Sequence, residues 1–149
     1  MGVIAQPYLD EVFLGGPSGA RLVSRAGDRP IRVRACERLT GAVIATTDPN
    51  LFTPAEFGAW TQVRAAARLA RYGCDAYAYA MVACGRMDLV VEAGLKTWDA
   101  EAAVALLEGA GGVVADWSGA RIGRSGGRMA LAGDRRCLEE AVARLAGVS

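Results

Sequence analysis

An α/β fold with a mixed sheet flanked by helices is the prediction for this 149-residue chain, and three observations make it. The first third alternates in short apolar runs broken by Gly, Pro and Asp, the pattern of an antiparallel meander. Beyond residue 40, strand-like runs alternate with helical segments, which implies a layered sheet with parallel pairings. A composition of 52% hydrophobic and 22% charged residues suits one globular domain that buries about 70% of its unfolded surface.

The elements follow in order. Val3-Ile4 opens an extended run that ends near Pro7, and Glu11 to Leu14 forms the next. The turn Gly15-Gly16-Pro17-Ser18-Gly19 leads to Ala20–Val23, and Pro30–Arg34 alternates with period two. Gly41–Thr47 reads as a buried strand closed by Asp48-Pro49-Asn50. Thr53-Pro54-Ala55-Glu56 is a capping-box helix start with Pro at the first helical position, and the helix is expected to run to Ala70. A second helix, rich in small residues, spans Asp75 to Ala83 and stops at Gly85. Met87–Glu92 is a strand. Asp99–Ala110 forms a helix with Ala103, Leu106, Leu107 and Ala110 on one face, stopped by Gly111-Gly112. Val113–Ala115 and Arg128–Ala132 are strands, and Asp134–Leu145 closes the chain as a helix on the surface.

Charge and composition exclude several functions. The 17 basic and 16 acidic residues give a net charge of +1, without the basic footprint of a nucleic-acid binder. Arg64, Arg68 and Arg71 read as the solvated side of a helix. No apolar run approaches the ~20 residues of a membrane span, and the first residues do not form a secretory signal, so a cytoplasmic location is expected. Cys36, Cys74, Cys84 and Cys137 form no Cys-x-x-Cys pair and read as buried free thiols, well ahead of disulfides or zinc ligands. The chain has no histidine, which removes Ser-His-Asp, Cys-His and His-ligated zinc chemistry. Any catalysis must rest on carboxylates, Lys, Tyr, hydroxyls or a bound hard cation.

The strongest chemical signal lies between Asp88 and Glu108. A buried strand ends in Glu92-Ala93-Gly94, and a short loop reaches Trp98-Asp99 at a helix start. Ligands bind beyond the carboxyl ends of strands in open α/β sheets, and two carboxylates there can hold a divalent cation. On pattern alone the favoured reading is that Asp99 caps its helix and Glu92 is solvated, since caps far outnumber metal sites. Asp75, which follows Gly73-Cys74 at another helix start, is open to the same two readings. Tyr77 and Tyr79 read as packing between layers. Lys96 near the loop carries little weight, and the Gly-rich segments match no phosphate-binding loop.

Val91-Glu92-Ala93-Gly94-Leu95-Lys96-Thr97-Trp98-Asp99, followed by Glu108-Gly109-Ala110-Gly111-Gly112, resembles the C-terminal signature of the inositol monophosphatase superfamily. Arg71-Tyr72-Gly73-Cys74-Asp75-Ala76-Tyr77-Ala78-Tyr79-Ala80 and Leu51-Phe52-Thr53-Pro54 resemble its histidinol-phosphatase branch, whereas Thr97-Trp98 leans toward the general family. The resemblance covers nearly the whole chain and implies magnesium-dependent hydrolysis of a small phosphate monoester. It implies that Asp99 is a metal ligand and catalytic residue. It also implies that Gly73, Cys74, Asp75 and Glu92 contact the alcohol portion of the substrate. The family's upstream Glu and Asp-Pro-x-Asp-Gly-Thr metal motif have no counterpart here, because Asp48-Pro49-Asn50 shares only two letters of it.

The resulting expectation is the C-terminal portion of a layered α/β sandwich. Residues 1–34 would be remnant strands of an N-terminal sheet, and 35–149 a C-terminal α/β domain. The parent activity is expected to be hydrolysis of L-histidinol phosphate in histidine biosynthesis. The alternatives are the inositol monophosphatase or nucleotide phosphatase branch, or a non-catalytic remnant or partner subunit. The remaining Mg2+ ligands are expected from a missing N-terminal half. The expected partners are a small phosphate monoester and either a second copy or a complementing half, with no nucleic acid and no membrane.

Overall fold

The computed structural model describes residues 1–122 and 126–148. Four strands, β1 (Gly2–Gln6), β2 (Glu11–Gly16), β3 (Gly19–Ser24) and β4 (Gly27–Ile31), form an antiparallel meander in that order. The last strand ends at Ile31 rather than Arg34. Arg34 instead turns its guanidinium onto Asp88, with hydrogen bonds of 2.7 and 2.6 Å.

The second sheet holds β5 (Val43–Thr46), β6 (Leu69–Tyr72), β7 (Leu89–Leu95), β8 (Val113–Ala115) and β9 (Gly127–Ala132), in the order β6-β5-β7-β9-β8. Its β5 strand pairs in parallel with β6 and β7, while β9 pairs antiparallel with β7 and β8. This is the mixed sheet expected from the sequence.

Helix α1 (Pro54–Ala66) starts as expected, with the Thr53–Glu56 capping box formed in both directions. It stops at Ala66, four residues short of the predicted end, because residues 69–72 become β6. The Arg68 and Leu69 N–H groups donate to Ala42 O, and the chain then pairs with β5. Long-range ladder bonds here override a locally helical sequence. The Arg cluster is divided by the same event: Arg64 lies on α1, Arg68 follows it and Arg71 lies on β6. Helices α2 (Asp75–Ala83), α3 (Thr97–Gly109) and α4 (Arg135–Leu145) complete the chain. The last helix is amphipathic rather than wholly superficial, burying Cys137, Leu138, Ala141 and Leu145.

The elements stack in four layers. The inner face of the meander (Ile4, Phe13, Leu22, Ile31) packs on α2 and α3, which pack in turn on Ala45, Val90, Met129 and Leu131 of the second sheet. The opposite face of that sheet (Ile44, Leu89, Val91, Ala130) meets Trp60 and Val63 of α1 and Leu138 and Leu145 of α4. Period-two alternation along β7 therefore sends Leu89 and Val91 one way and Val90 the other. The meander approaches α3 so closely that a Cβ on Gly15 would lie 2.3 Å from the Leu106 Cα. Tyr77 ties α2 to the meander by donating to Glu11 at 2.8 Å and by an edge-on contact with Phe13. It packs between layers, as the sequence suggests. Cys137 is buried, whereas Cys36, Cys74 and Cys84 are only half-buried, because the first two lie on connecting segments and Cys84 at the end of α2. Among the described residues no helix is long and apolar enough to cross a membrane.

Candidate functional site

Parallel strands β5 and β7 end side by side, and the chain leaving each one reaches a helix start. Ile44 is in register with Leu89 and Ala45 with Val90. Two further steps put Thr47 beside Glu92 on the same face. The contact is dense. Thr47 Oγ1 donates to Glu92 Oε1 at 2.7 Å, the Thr47 N–H donates to the same carboxylate at 3.0 Å, and Thr46 Oγ1 donates to Oε2 at 3.2 Å. Glu92 is only 4% exposed, so the solvated reading is corrected: it is a buried carboxylate whose lone pairs are met by hydroxyls and an amide. Burial raises its pKa above the ordinary value. The Thr hydrogen bonds oppose that shift, and the charge of Asp75 adds to it. Glu92 also does not end its strand, since β7 continues through a bulge to Leu95, opposite Gly127.

Asp75 opens α2 without capping it. The N-cap position belongs to Cys74, which makes no side-chain cap bond; its thiol donates instead to Tyr72 O at 3.6 Å. The capping reading of Asp75 is corrected accordingly. Its φ of 45° is in the left-handed region, a conformation that costs about 1 kcal/mol or more outside glycine and that Asp tolerates better than most residues. Gly73, with φ 74°, donates its N–H to Thr47 O at 2.9 Å, which joins this turn to the end of β5. Asp99 does take part in its helix start: its Oδ2 accepts the Lys96 N–H at 2.8 Å.

Thr47, Leu51, Asp75, Tyr79, Glu92 and Asp99 line one open cleft of about 370 Å³. The structure thus brings Asp75, Glu92 and Asp99 together, while Gly73 and Cys74 sit just behind Asp75 outside the lining. No basic side chain is among the residues that line it. Tyr79 is buried at the back, where burial, then the charges of Glu92, Asp99 and Asp75, push its phenol pKa upward. It remains a neutral hydrogen-bond donor in a negative cleft. Thr46, Thr47 and Tyr79 were missed as site residues. The adjacency of the β5 and β7 carboxyl ends is the signal that could have found the threonines.

A magnesium ion takes about six oxygen ligands in near-octahedral geometry. Both Glu92 oxygens are engaged by threonines, and Asp99 has committed Oδ2 to the Lys96 amide. Among the described residues no group of three or more Asp, Glu or Cys side chains is placed to hold a metal. This donor set does not by itself make a magnesium site.

The inositol monophosphatase family profile matches residues 1–147. The chain is 42% identical over 121 residues to the chloroplastic bifunctional phosphatase IMPL2 of Arabidopsis thaliana, covering 81% of this chain and 34% of that protein. It is 29% identical over 120 residues to a histidinol-phosphatase of Chlorobaculum parvum, covering 80% of this chain and 45% of that one. Its fold superposes on an inositol monophosphatase from Zymomonas mobilis with a TM-score of 0.89 at 33% identity, over 96% of this chain and 56% of that one. The chain therefore spans between about a third and just over half of the length of these relatives. Because that family's profile runs along nearly its whole length and its layers superpose on those of a relative at 33% identity, the chain belongs to the inositol monophosphatase family.

Proposed function

We propose that this chain forms the alcohol-binding wall of a magnesium-dependent phosphate-monoester hydrolase, and that the ester is L-histidinol phosphate. The observation that carries the reading is the cleft itself: three carboxylates and no lining cation. Such a surface repels a bare phosphate and attracts a positively charged group. Histidinol phosphate carries an ammonium and a protonatable imidazole on its alcohol portion, so Asp75 and Glu92 would face those groups. Inositol monophosphate offers only neutral hydroxyls there. Asp99 would bring one metal ligand, and the other ligands would come from outside the described residues, from a complementing half or a partner chain.

The likeness to an inositol monophosphatase of known structure supports a second reading, in which the hydroxyls of a polyol donate to the same carboxylates. A paired titration with L-histidinol and myo-inositol, followed by the amide resonances of Ala76, Ala93 and Gly94, separates the two. The first reading expects shifts with histidinol that fade with added salt. Larger shifts with inositol would replace it with the second.

A further inference from the structure

Far from the cleft, the segment linking the two sheets is pinned to helix α4 at two points. The Cys36 N–H donates to Asp134 Oδ2 at 3.1 Å, and the Leu39 N–H donates to Glu140 Oε2 at 2.9 Å. Asp134 and Glu140 lie three residues before and after Cys137. Asp134 caps the start of α4 and Glu140 lies within it, so the two anchors flank Cys137 along the helix. Cys36 packs against the cluster that buries Cys137, and each thiol shifts the other's pKa. Cys36 is half-buried with its thiol directed to Arg38 O at 3.4 Å, whereas Cys137 is wholly enclosed.

We propose that Cys36 and Cys137 form a two-thiol oxidation site that closes to a disulfide under peroxide. Cys36, the accessible partner, is oxidised first: its sulfur takes one peroxide oxygen to give a sulfenic acid, and one water leaves. The Cys137 sulfur then attacks that sulfur and displaces the hydroxyl as a second water. In sum, two thiols lose two hydrogens and one hydrogen peroxide becomes two waters. Burial raises both thiols above the ordinary value, so the first step is slow by comparison with reactive cysteines. The product cross-links residues 36 and 137, tying the inter-sheet segment to the closing helix and constraining the unfolded chain.

The test is to expose the whole folded chain to hydrogen peroxide, alkylate the remaining thiols and map the peptides by mass. The expected result is one cross-link joining Cys36 to Cys137, with Cys74 and Cys84 alkylated and a Tm higher than that of the reduced protein. In Cys36→Ser, which leaves the buried partner in place and should fold, Cys137 should stay reduced through the same exposure. Cys36 sulfinic acid with Cys137 still alkylatable, a disulfide involving Cys74 or Cys84, or no cross-link at all would overturn the proposal. So would oxidation of Cys137 in Cys36→Ser.

Discussion

Thr47 and Glu92 meet through two donors from one residue: the Thr47 hydroxyl and its own amide both reach the Glu92 carboxylate, at 2.7 and 3.0 Å. The pair locks the ends of β5 and β7 together and fixes the carboxylate at the back of the cleft. Thr47→Val keeps the amide bond and the shape but removes the hydroxyl. A hydrogen bond to a charged group contributes about 1.5–3 kcal/mol. The expected outcome is a loss of stability in that range on denaturant unfolding, with the Glu92 carboxyl pKa moving further up by NMR titration. An unchanged Glu92 titration would show that the hydroxyl does not hold the carboxylate.

Glu92 and Asp88 should give stability opposite pH dependences. The folded-state pKa of Glu92 is raised, so its contribution is most favourable below the ordinary carboxylate value and declines as pH rises toward the folded value. Glu92→Gln should therefore gain stability relative to the parent at neutral pH and lose that gain in acid. Asp88, only 1% exposed, accepts two hydrogen bonds from Arg34 and one from the Val43 amide. Burial pushes its pKa up, but these partners together outweigh burial and hold it below the ordinary value. Its contribution is present above the ordinary carboxylate value and disappears as pH falls through the lowered one. Asp88→Ala should cost about 1–3 kcal/mol at neutral pH by leaving the Val43 amide without its acceptor, since Arg34 is 42% exposed and can turn to water. Thermal unfolding of both variants between acid and neutral pH checks the two signs.

The outward face of the meander should drive association. Val3 lies opposite Leu14, Ala5 opposite Val12, and Val12 opposite Val23. Val3 is 48% and Val23 36% exposed. An apolar sheet face with open edges invites a second chain. Sedimentation should show dimers or larger species, and Val3→Lys with Val23→Lys should reduce them. A monomer at high concentration would contradict this expectation.

Without further carboxylates, the chain should not turn over phosphate esters. Among the described residues one Asp99 oxygen and the Asp75 carboxylate are left to face a cation, and no group of three Asp, Glu or Cys side chains is placed to hold one, too few donors to organise a two-metal displacement. Assayed with histidinol phosphate or inositol phosphate at millimolar magnesium, it should fall far below an ordinary ~10 s⁻¹. Turnover near that value would show that the donor set is complete.

Local signals made much of this molecule legible. The Thr53 capping box, the Gly111 stop and the period-two runs of the meander state their structures within a few residues. Strand β6 was not legible, because Leu69–Tyr72 becomes a strand only by pairing with β5, across the length of α1. At the site, Glu92, Asp75 and Asp99 could be named from the sequence, but their states could not. The satisfied burial of Glu92 depends on threonines forty-five and forty-six residues upstream. The left-handed conformation of Asp75 arises in a turn that Gly73 joins to Thr47. Arg34–Asp88, separated by fifty-four residues, has no local signature.

If the cleft recognises positive charge through Asp75 and Glu92, as proposed, removing one of those charges without changing shape should weaken the binding of a cationic alcohol. Asp75→Asn suits the purpose because Asn also tolerates the left-handed region, so the fold should be unchanged. L-histidinol affinity, measured by titration at low salt, should fall about tenfold to a hundredfold with the loss of a charge-assisted contact, while myo-inositol binding changes little. Equal affinity of parent and variant for histidinol, or equal losses for both ligands, would show that Asp75 does not recognise the ligand's charge.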